Sequence, residues 1–432
     1  MKRRLFATSA RIWMGRLLLV AVASLVTVFS AEMVLAILGY PAEHPERVAH
    51  PPGFTELRER LEFRYSFRTN GQGLRYRELP MEKQSGRARV FVAGDSFTEG
   101  DGVSDSERFT DQLEAAFQDR HGGVDFINGG LSAAGPIEYG NLFVKVGQNY
   151  SPDALLICFF VNDVSNTGES LFRVPFAKDP PRGRSRIRRR IHQILPRINT
   201  QIEILQDRAT VADGQNVKRG FVGAVTSVAE SRGIDQRRIA EWEMSVPQDL
   251  ADAVDRGHFN GSVLSQGLLN PNYWVDSLEL NSESSQRRWT TCQQILSALV
   301  DHCRADHVEA AIVFLPVSFQ YDPSAYSNEN PYVFTGCHLR QSWLTDETPL
   351  QQSLEAWAAS AEIPFLDLTP DFRNAIHSSR SLYWKLDGHW TPEGHTTAAR
   401  AIESWLSTGN VFHCIPASRL PSGSTSDDTT VH

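Results

Sequence analysis

The feature that most constrains the fold is an alternation of apolar runs with amphipathic segments of helix length after residue 86. The apolar runs are RVFVAG, VDFIN, DALLICFF, VEAAIVFLPV and IPFLDL. Between and after them, the pattern predicts helices over 106–120, 136–148, 285–304, 348–361 and 392–406. Strands that are apolar throughout and separated by helices form parallel sheets covered on both faces. The alternation therefore predicts an α/β protein with three layers, α/β/α.

The same alternation predicts a domain over 87–416 that an insert, 165–285, interrupts. Isoleucines recur every three or four residues between 187 and 202, with arginines among them, which is typical of a basic amphipathic helix. Two interpretations stay open: the helix lies on the outer face of a membrane, or it packs its apolar stripe on the domain. The polar stretch 417–432 is predicted to be a disordered tail.

The N-terminus predicts a membrane anchor. Residues 1–16 carry five basic residues and no acid, and 17–39 are mainly apolar, with Glu32 as the one acid. This span is long enough to cross a bilayer, and its basic flank should stay in the cytoplasm. We predict an uncleaved signal-anchor over 17–39, with the catalytic domain outside, periplasmic or extracellular. A signal peptide cleaved near 34–36 is the alternative. Residues 40–86, interrupted by prolines, are predicted to form a tether.

Composition and charge exclude some classes of protein. A hydrophobic content of 41% argues against overall disorder, and a net charge of -8 argues against a nucleic-acid partner. The five cysteines fit an oxidising compartment without indicating a disulfide-dense scaffold. No phosphate-loop, dinucleotide-binding or zinc-binding spacing occurs, so no cofactor or metal is predicted.

Chemistry-bearing residues recur where the predicted strands end. Ser96 follows the first strand in FVAGDSFTEG, and Asn162 follows the third in FFVNDV. The loop INGGLSAAG follows the second strand, and DGHWTPEGH precedes the last helix with Asp387 and His389. Each block alone fits an ordinary turn or cap. Sites in parallel sheets form at the carboxyl ends of strands, and a nucleophilic serine needs a base, an orienting acid and oxyanion donors. The ordered coincidence of blocks therefore predicts an active site.

These ordered blocks resemble those of the SGNH/GDSL hydrolases, whose fold is a flavodoxin-like α/β/α domain. The resemblance covers about residues 68–406 without the insert. It is strongest to membrane-anchored bacterial members, in which a phrase like TNGQGLRYREL (69–79) precedes the serine block. The resemblance implies that Ser96 is the nucleophile. It also implies an oxyanion hole formed by the N–H of Ser96, a backbone N–H of the second block and the side chain of Asn162.

In the second block, this chain departs from the family pattern. The donor glycine of the family falls at Ala133 in this sequence. A backbone N–H survives that change, so Ala133 is the predicted donor, with Gly130 as the alternative.

The terminal block departs as well. The family places its histidine three residues after the aspartate, where this chain has Trp390. Asp387-Gly388-His389-Trp390 is instead similar to the Asp-x-His-Trp signature of polysaccharide O-acetyltransferases related to alginate acetylation. The predicted base is therefore His389, oriented by Asp387, and His395 is the alternative base.

Together these features predict an esterase of the SGNH type that hydrolyses an acyl ester, in particular an O-acetyl ester, through an acyl-enzyme. The expected substrate is an ester, and an acylated glycan, a lipid and a small ester all stay open. The expected partner is the membrane through the N-terminal helix. One alternative is an O-acyltransferase that moves acetyl groups onto an extracytoplasmic polysaccharide. The other is a non-catalytic tethered binding protein on the same fold.

Overall fold

The computed structural model describes residues 48–118, 123–165, 220–326, 336–377 and 380–415, with helical residues 16, 19–20, 23 and 27–34. The predicted amphipathic helix near 187–202 and the tail 417–432 lie outside these residues. Most of the predicted span 17–39 does too. None of the helices in the described part of the chain is long and apolar enough to cross a membrane. The anchor therefore stays a prediction.

Seven strands form two sheets in the described ranges. A hairpin pairs β1 (Thr55–Glu59) with β2 (Arg64–Arg68). The main sheet is parallel, in the order β4-β3-β5-β6-β7. Its strands are β3 (Ala88–Gly94), β4 (Val124–Gly130), β5 (Ala154–Phe160), β6 (Glu309–Leu315) and β7 (Phe365–Asp367). They coincide with the five predicted apolar runs, so the predicted α/β fold with a parallel sheet is confirmed.

The helices follow the strands as the pattern predicted, with small shifts at their ends. The described residues form α1 (Ser96–Glu99), α2 (Phe109–Phe117), α3 (Pro136–Lys145), α4 (Phe221–Ser231), α5 (Gln236–Ser245), α6 (Gln248–Asp255), α7 (Gly261–Leu269), α8 (Tyr273–Glu279), α9 (Glu283–Ala305), α10 (Pro349–Ser360), α11 (Thr369–Ala375) and α12 (Pro392–Thr408). The last helix begins as expected from its sequence, because the Thr391 hydroxyl accepts the N–H of Gly394 and proline occupies the first turn.

The core lies around strands β3, β4 and β5. Every residue of β4 and β5 is buried, and β3 is buried from Arg89 onward. Helix α2 packs on α12, and α3 packs on α9. Cys158 lies in β5 as a buried packing residue, and all five cysteines are free thiols. Burial of strands on both faces explains why their sequences are apolar at consecutive positions.

The described part of the predicted tether, residues 48–86, is not a tether. Its hairpin alternates exposed and buried residues, so that Tyr65 and Phe67 of β2 point inward. In the segment that follows, residues 69–79, Leu74 and Tyr76 belong to the main core. The turn is held by Asn70, whose Oδ1 accepts the N–H groups of residues 72 and 74, each at 3.0 Å. Four of the five prolines in 40–86 precede β1 and the fifth, Pro80, follows β2, so none of them interrupts the half-buried hairpin.

The described part of the insert, from residue 220, is helical. Helices α4 to α7 enclose two small apolar clusters, one around Trp242 and one around Phe259. The indole N–H of Trp242 donates to the carbonyl of Leu264 at 2.9 Å. This portion therefore has its own buried residues beside the sheet domain.

Candidate active site

Ser96 is the first residue of α1, immediately beyond the carboxyl end of β3. Asp95 caps this helix, because its Oδ1 accepts the N–H of Phe97 at 3.0 Å. The helix ends after one turn at Gly100, whose φ is 86°. Gly102 also has a positive φ, and a Cβ there would lie 2.7 Å from the Trp384 indole nitrogen. These two glycines lead the chain away and leave Ser96 half-buried.

His389 and Asp387 meet Ser96 in the arrangement that the terminal block predicted. The Nε2 atom of His389 lies 2.7 Å from the Ser96 Oγ. Its Nδ1 atom is hydrogen-bonded to Oδ1 of Asp387. The Trp384 N–H donates to the His389 carbonyl at 2.8 Å and closes the turn that presents both side chains. Within this turn, Gly388 has a φ of 90°. Serine, histidine and aspartate are thus joined in one hydrogen-bonded chain.

Trp390 explains the aromatic position of the Asp-x-His-Trp block. Its side chain is fully buried and packs against Phe97, with ring centroids 5.1 Å apart, and against Phe372 at 4.8 Å. The tryptophan therefore anchors the turn that carries His389 to the helix that carries the serine.

The alternative base, His395, is a core residue. It is 1% exposed on α12, stacks on Phe109, and accepts the Phe109 N–H through Nδ1 at 3.3 Å. Burial, together with Arg108 and Arg75, lowers the pKa of His395 to about 3. The structure does not bring this imidazole to Ser96, and it keeps the ring neutral.

The two backbone N–H groups predicted to form an oxyanion hole, those of Ser96 and Ala133, have no protein acceptor in the described residues. Ala133 is exposed in the loop after β4 and has a φ of 62°, a conformation that normally selects glycine. The alternative donor is occupied, because Gly130 donates its N–H to Asn128 Oδ1 at 2.9 Å.

Asn162 lies on a 3₁₀ turn, Val161–Val164, at the carboxyl end of β5. Because β5 pairs with β3, this turn is next to the serine, and the Asn162 side chain is beside the Asp95 carboxyl. Burial raises the pKa of Asp95 to about 7, although the Phe97 N–H and His389 oppose the shift. Asn162 is therefore near the site, as predicted.

The imidazole of His389 is surrounded by carboxylates. Burial lowers its pKa, but Asp387, Asp101 and Asp95 outweigh burial and raise the pKa of His389 to about 9. The pKa of Asp101, in contrast, is lowered. Burial raises its pKa, but His389 and Arg58 lower it below its usual value. The site thus favours a protonated histidine beside an ionised Asp101.

Sequence reasoning missed the residues that the hairpin brings to the site. Glu62, between β1 and β2, accepts the N–H of Leu386 at 2.8 Å and that of Asp387 at 2.9 Å. Arg58 of β1 donates to Asp101 at 2.7 Å. Asp101 could have been noticed in the sequence, because it is an acid five residues after Ser96, in TEGDGV. Nothing local in the sequence links the hairpin to the catalytic turn.

The comparison with family models gives one match. The matching family is described as "SGNH hydrolase-like domain, acetyltransferase AlgX", and it covers residues 338–425, which include Asp387 and His389. The resemblance predicted from the motifs is thereby confirmed. A comparison with curated proteins found no match.

Several solved structures align with this chain at low identity. A GDSL-like lipase from Bacteroides thetaiotaomicron is 14% identical over 76% of this chain and 90% of its own, with a TM-score of 0.32. A lipase/acylhydrolase from Enterococcus faecalis is 9% identical over 74% and 95%, with a TM-score of 0.34. An acetyl-xylooligosaccharide esterase mutant from Geobacillus is 11% identical over 73% and 92%, also at 0.34. These TM-scores are too low to support residue roles, which are therefore argued from the geometry of the site alone.

Proposed function

We propose that this chain is a serine esterase that cleaves an acyl ester, in particular an O-acetyl ester, through a covalent acyl-enzyme. The observation that carries the proposal is the hydrogen-bonded chain from Ser96 Oγ through His389 to Asp387. The nearby N–H groups of Ser96 and Ala133, which have no acceptor in the described residues, support it. A nucleophile, a base, an orienting acid and oxyanion donors are the parts that acyl transfer requires.

Acylation would begin with neutral His389. Its Nε2 accepts the Ser96 proton while Oγ attacks the carbonyl carbon of the ester. The carbonyl oxygen becomes an oxyanion, which the N–H groups of Ser96 and Ala133 and the amide of Asn162 would stabilise. Asp387 holds the Nδ1–H and stabilises the imidazolium. The Nε2–H then protonates the leaving alkoxide as its bond to carbon breaks, which leaves the acyl group on Oγ.

Deacylation would use the same groups in reverse. A water molecule gives its proton to Nε2 and attacks the acyl carbon, and the Ser96 Oγ leaves with the proton that Nε2 returns. If a sugar hydroxyl replaces water, the product is a new ester and the enzyme is an O-acyltransferase. The match of the Asp-x-His-Trp region to a family described as an acetyltransferase favours this second candidate.

The proposed setting is the outer face of a membrane. The basic flank 1–16 and the apolar stretch 17–39 support a single-pass anchor with the catalytic domain outside the cytoplasm. An acylated glycan or lipid is then the proposed substrate. A reporter fused after residue 415 that is active only outside the cytoplasm tests this topology, and a reporter active only inside would refute it.

The activity is tested on the full chain with a fluorophosphonate probe and an acetyl ester. The probe should label Ser96, and Ser96→Ala should abolish both labelling and acetate release. Ser104→Ala, an exposed serine eight residues along the chain, is the matched control and should keep both. A wild-type protein that neither reacts with the probe nor releases acetate would refute the esterase and favour the non-catalytic binding protein.

A second arm of the experiment separates the two acyl acceptors. Acetate release and acetylated product are measured with and without an unacetylated oligosaccharide. Free acetate at an unchanged rate, with no acetylated sugar, supports hydrolysis. Acetylated oligosaccharide that forms at the expense of free acetate supports the transferase.

A further inference from the structure

Asp101 connects three segments of the chain at the active site. Its backbone N–H donates to the carbonyl of Ser96 at 3.0 Å. Its Oδ1 atom accepts from Arg58 at 2.7 Å and from the Tyr65 hydroxyl at 2.6 Å, both in the hairpin. Its Oδ2 atom accepts from the Ser132 hydroxyl at 3.0 Å. One residue therefore joins the hairpin and the loop after β4 through its carboxylate, and the nucleophile helix through its backbone N–H.

Ser132 precedes the strained residue of that loop. Ala133 holds a left-handed conformation, which a residue other than glycine keeps only when its surroundings impose it. The Ser132 hydroxyl also contacts Glu99, whose side chain is fully buried beside His50 and Arg58. The single proton of the Ser132 hydroxyl thus lies between two carboxylate acceptors, Asp101 and Glu99, in a charge-assisted hydrogen bond. This shared bond holds the loop that carries Ala133.

We propose that Asp101 and Ser132 are positioning residues of the active site. Ser132, held by Asp101 together with Glu99, keeps the Ala133 N–H in place as an oxyanion donor. The Asp101 carboxylate also stabilises the imidazolium that His389 forms when Ser96 gives up its proton. The inference rests on the proposed function, because both effects concern the same acyl transfer.

The effect of the Asp101 charge on His389 follows from the groups that surround these two side chains. Asp101 is hydrogen-bonded to the backbone of Ser96, whose Oγ lies 2.7 Å from the Nε2 atom of His389. The charges of Asp387, Asp101 and Asp95 raise the pKa of His389. Asp101 is faced by His389, Arg58, Tyr65 and Ser132, and its lowered pKa keeps it ionised at neutral pH. Removing this charge should lower the pKa of His389. The base would then become neutral, and the enzyme active, at a lower pH.

Two variants of the full chain separate the two roles. Asp101→Asn should move the midpoint of the rise in kcat/KM with pH down by about one unit, and it should also lower kcat at the plateau. Ser132→Ala removes no charge, so it should leave the midpoint in place and lower kcat about tenfold, with little change in KM. Asp105→Asn is the matched control, since Asp105 lies on the same loop but binds Arg75 and is 35% exposed.

A measurement that needs no ester turnover keeps this inference separate from the proposed function. The Ala134 N–H donates to the carbonyl of Leu131 across the loop. Its hydrogen exchange, followed by mass spectrometry on residues 131–135, should be faster in Ser132→Ala and Asp101→Asn than in wild type and Asp105→Asn. Absence of probe labelling in wild type would refute the esterase alone. Unchanged loop exchange in both variants, or an unshifted pH midpoint in a folded Asp101→Asn, would overturn the inference.

Discussion

The surroundings of His389 predict an alkaline dependence of activity on pH. A general base must be neutral to accept the serine proton, and the carboxylates beside His389 raise its pKa to about 9. With that pKa, about 1% of the enzyme has a neutral base at pH 7 and about half has one at pH 9. We expect kcat/KM to rise about tenfold per pH unit below pH 8, and about 50-fold between pH 7 and pH 9.

The same shift predicts an opposite trend in stability. Because the folded-state pKa of His389 lies above the unfolded value of about 6.5, its stabilising contribution is complete below pH 6.5. The contribution disappears as the pH rises through 9. The shift of roughly 2.5 units corresponds to about 3 kcal/mol of unfolding free energy. Activity should therefore rise over the pH range in which this contribution to stability is lost.

Both trends are measured on the same preparation at constant ionic strength. Initial rates with an acetyl ester from pH 5.5 to 10 give the kinetic midpoint. Urea unfolding of wild type and His389→Gln from pH 6 to 9.5 gives the stability difference, in which the other titrating groups cancel. A kinetic midpoint near 6.5, or a stability difference that does not change with pH, would refute the electrostatic reasoning.

Four further variants test single residues. Asn162→Ala should lower turnover about 10²–10³-fold with little change in KM, because an oxyanion donor acts on charge that appears only in the transition state. Ala133→Gly should keep most activity and should not destabilise the fold, because glycine removes a left-handed strain of about 1 kcal/mol. His395→Ala should keep turnover and lower stability by about 2 kcal/mol, since a buried ring is lost. Glu62→Ala should lower turnover, because the N–H groups of Leu386 and Asp387 lose their acceptor.

Melting temperature and turnover of each variant, measured together, separate the site from the scaffold. A destabilised but fully active Asn162→Ala would remove that residue from the oxyanion hole. Loss of turnover in His395→Ala at unchanged stability would return the base assignment to His395. An inactive Ala133→Gly would contradict the backbone role of the loop, and a fully active Glu62→Ala would contradict the support of the catalytic turn by the hairpin.

The elements that could be predicted from the sequence are those with local signals. Strands buried on both faces are apolar at consecutive positions, so the five runs identify the sheet. Sites in parallel sheets form at the carboxyl ends of strands, so Ser96 and Asn162, which each follow an apolar run, could both be assigned to that edge. Ala133 stands where the resemblance places a glycine, and its φ of 62° is a conformation that normally selects glycine.

The hairpin could not be predicted, because its contacts are distant in the chain. Strand β2 has the sequence RYSFR, and its only two apolar residues are the two that point inward. The polar and charged residues beside them make the segment resemble a tether. The link from Glu62 to the catalytic turn joins residues more than 300 positions apart. Likewise, only the structure shows that His395 packs inside the core while His389, six residues before it, faces the serine.

The hairpin that replaces the predicted tether also determines where a shortened protein can begin. Glu62 and Arg58 belong to the hairpin, yet they contact the turn that carries His389 and the Asp101 carboxylate. A shortened protein that starts at residue 87, the predicted domain boundary, would lose these contacts. It would also lose Leu74 and Tyr76 from the main core. An active fragment should therefore keep the chain from residue 48 onward.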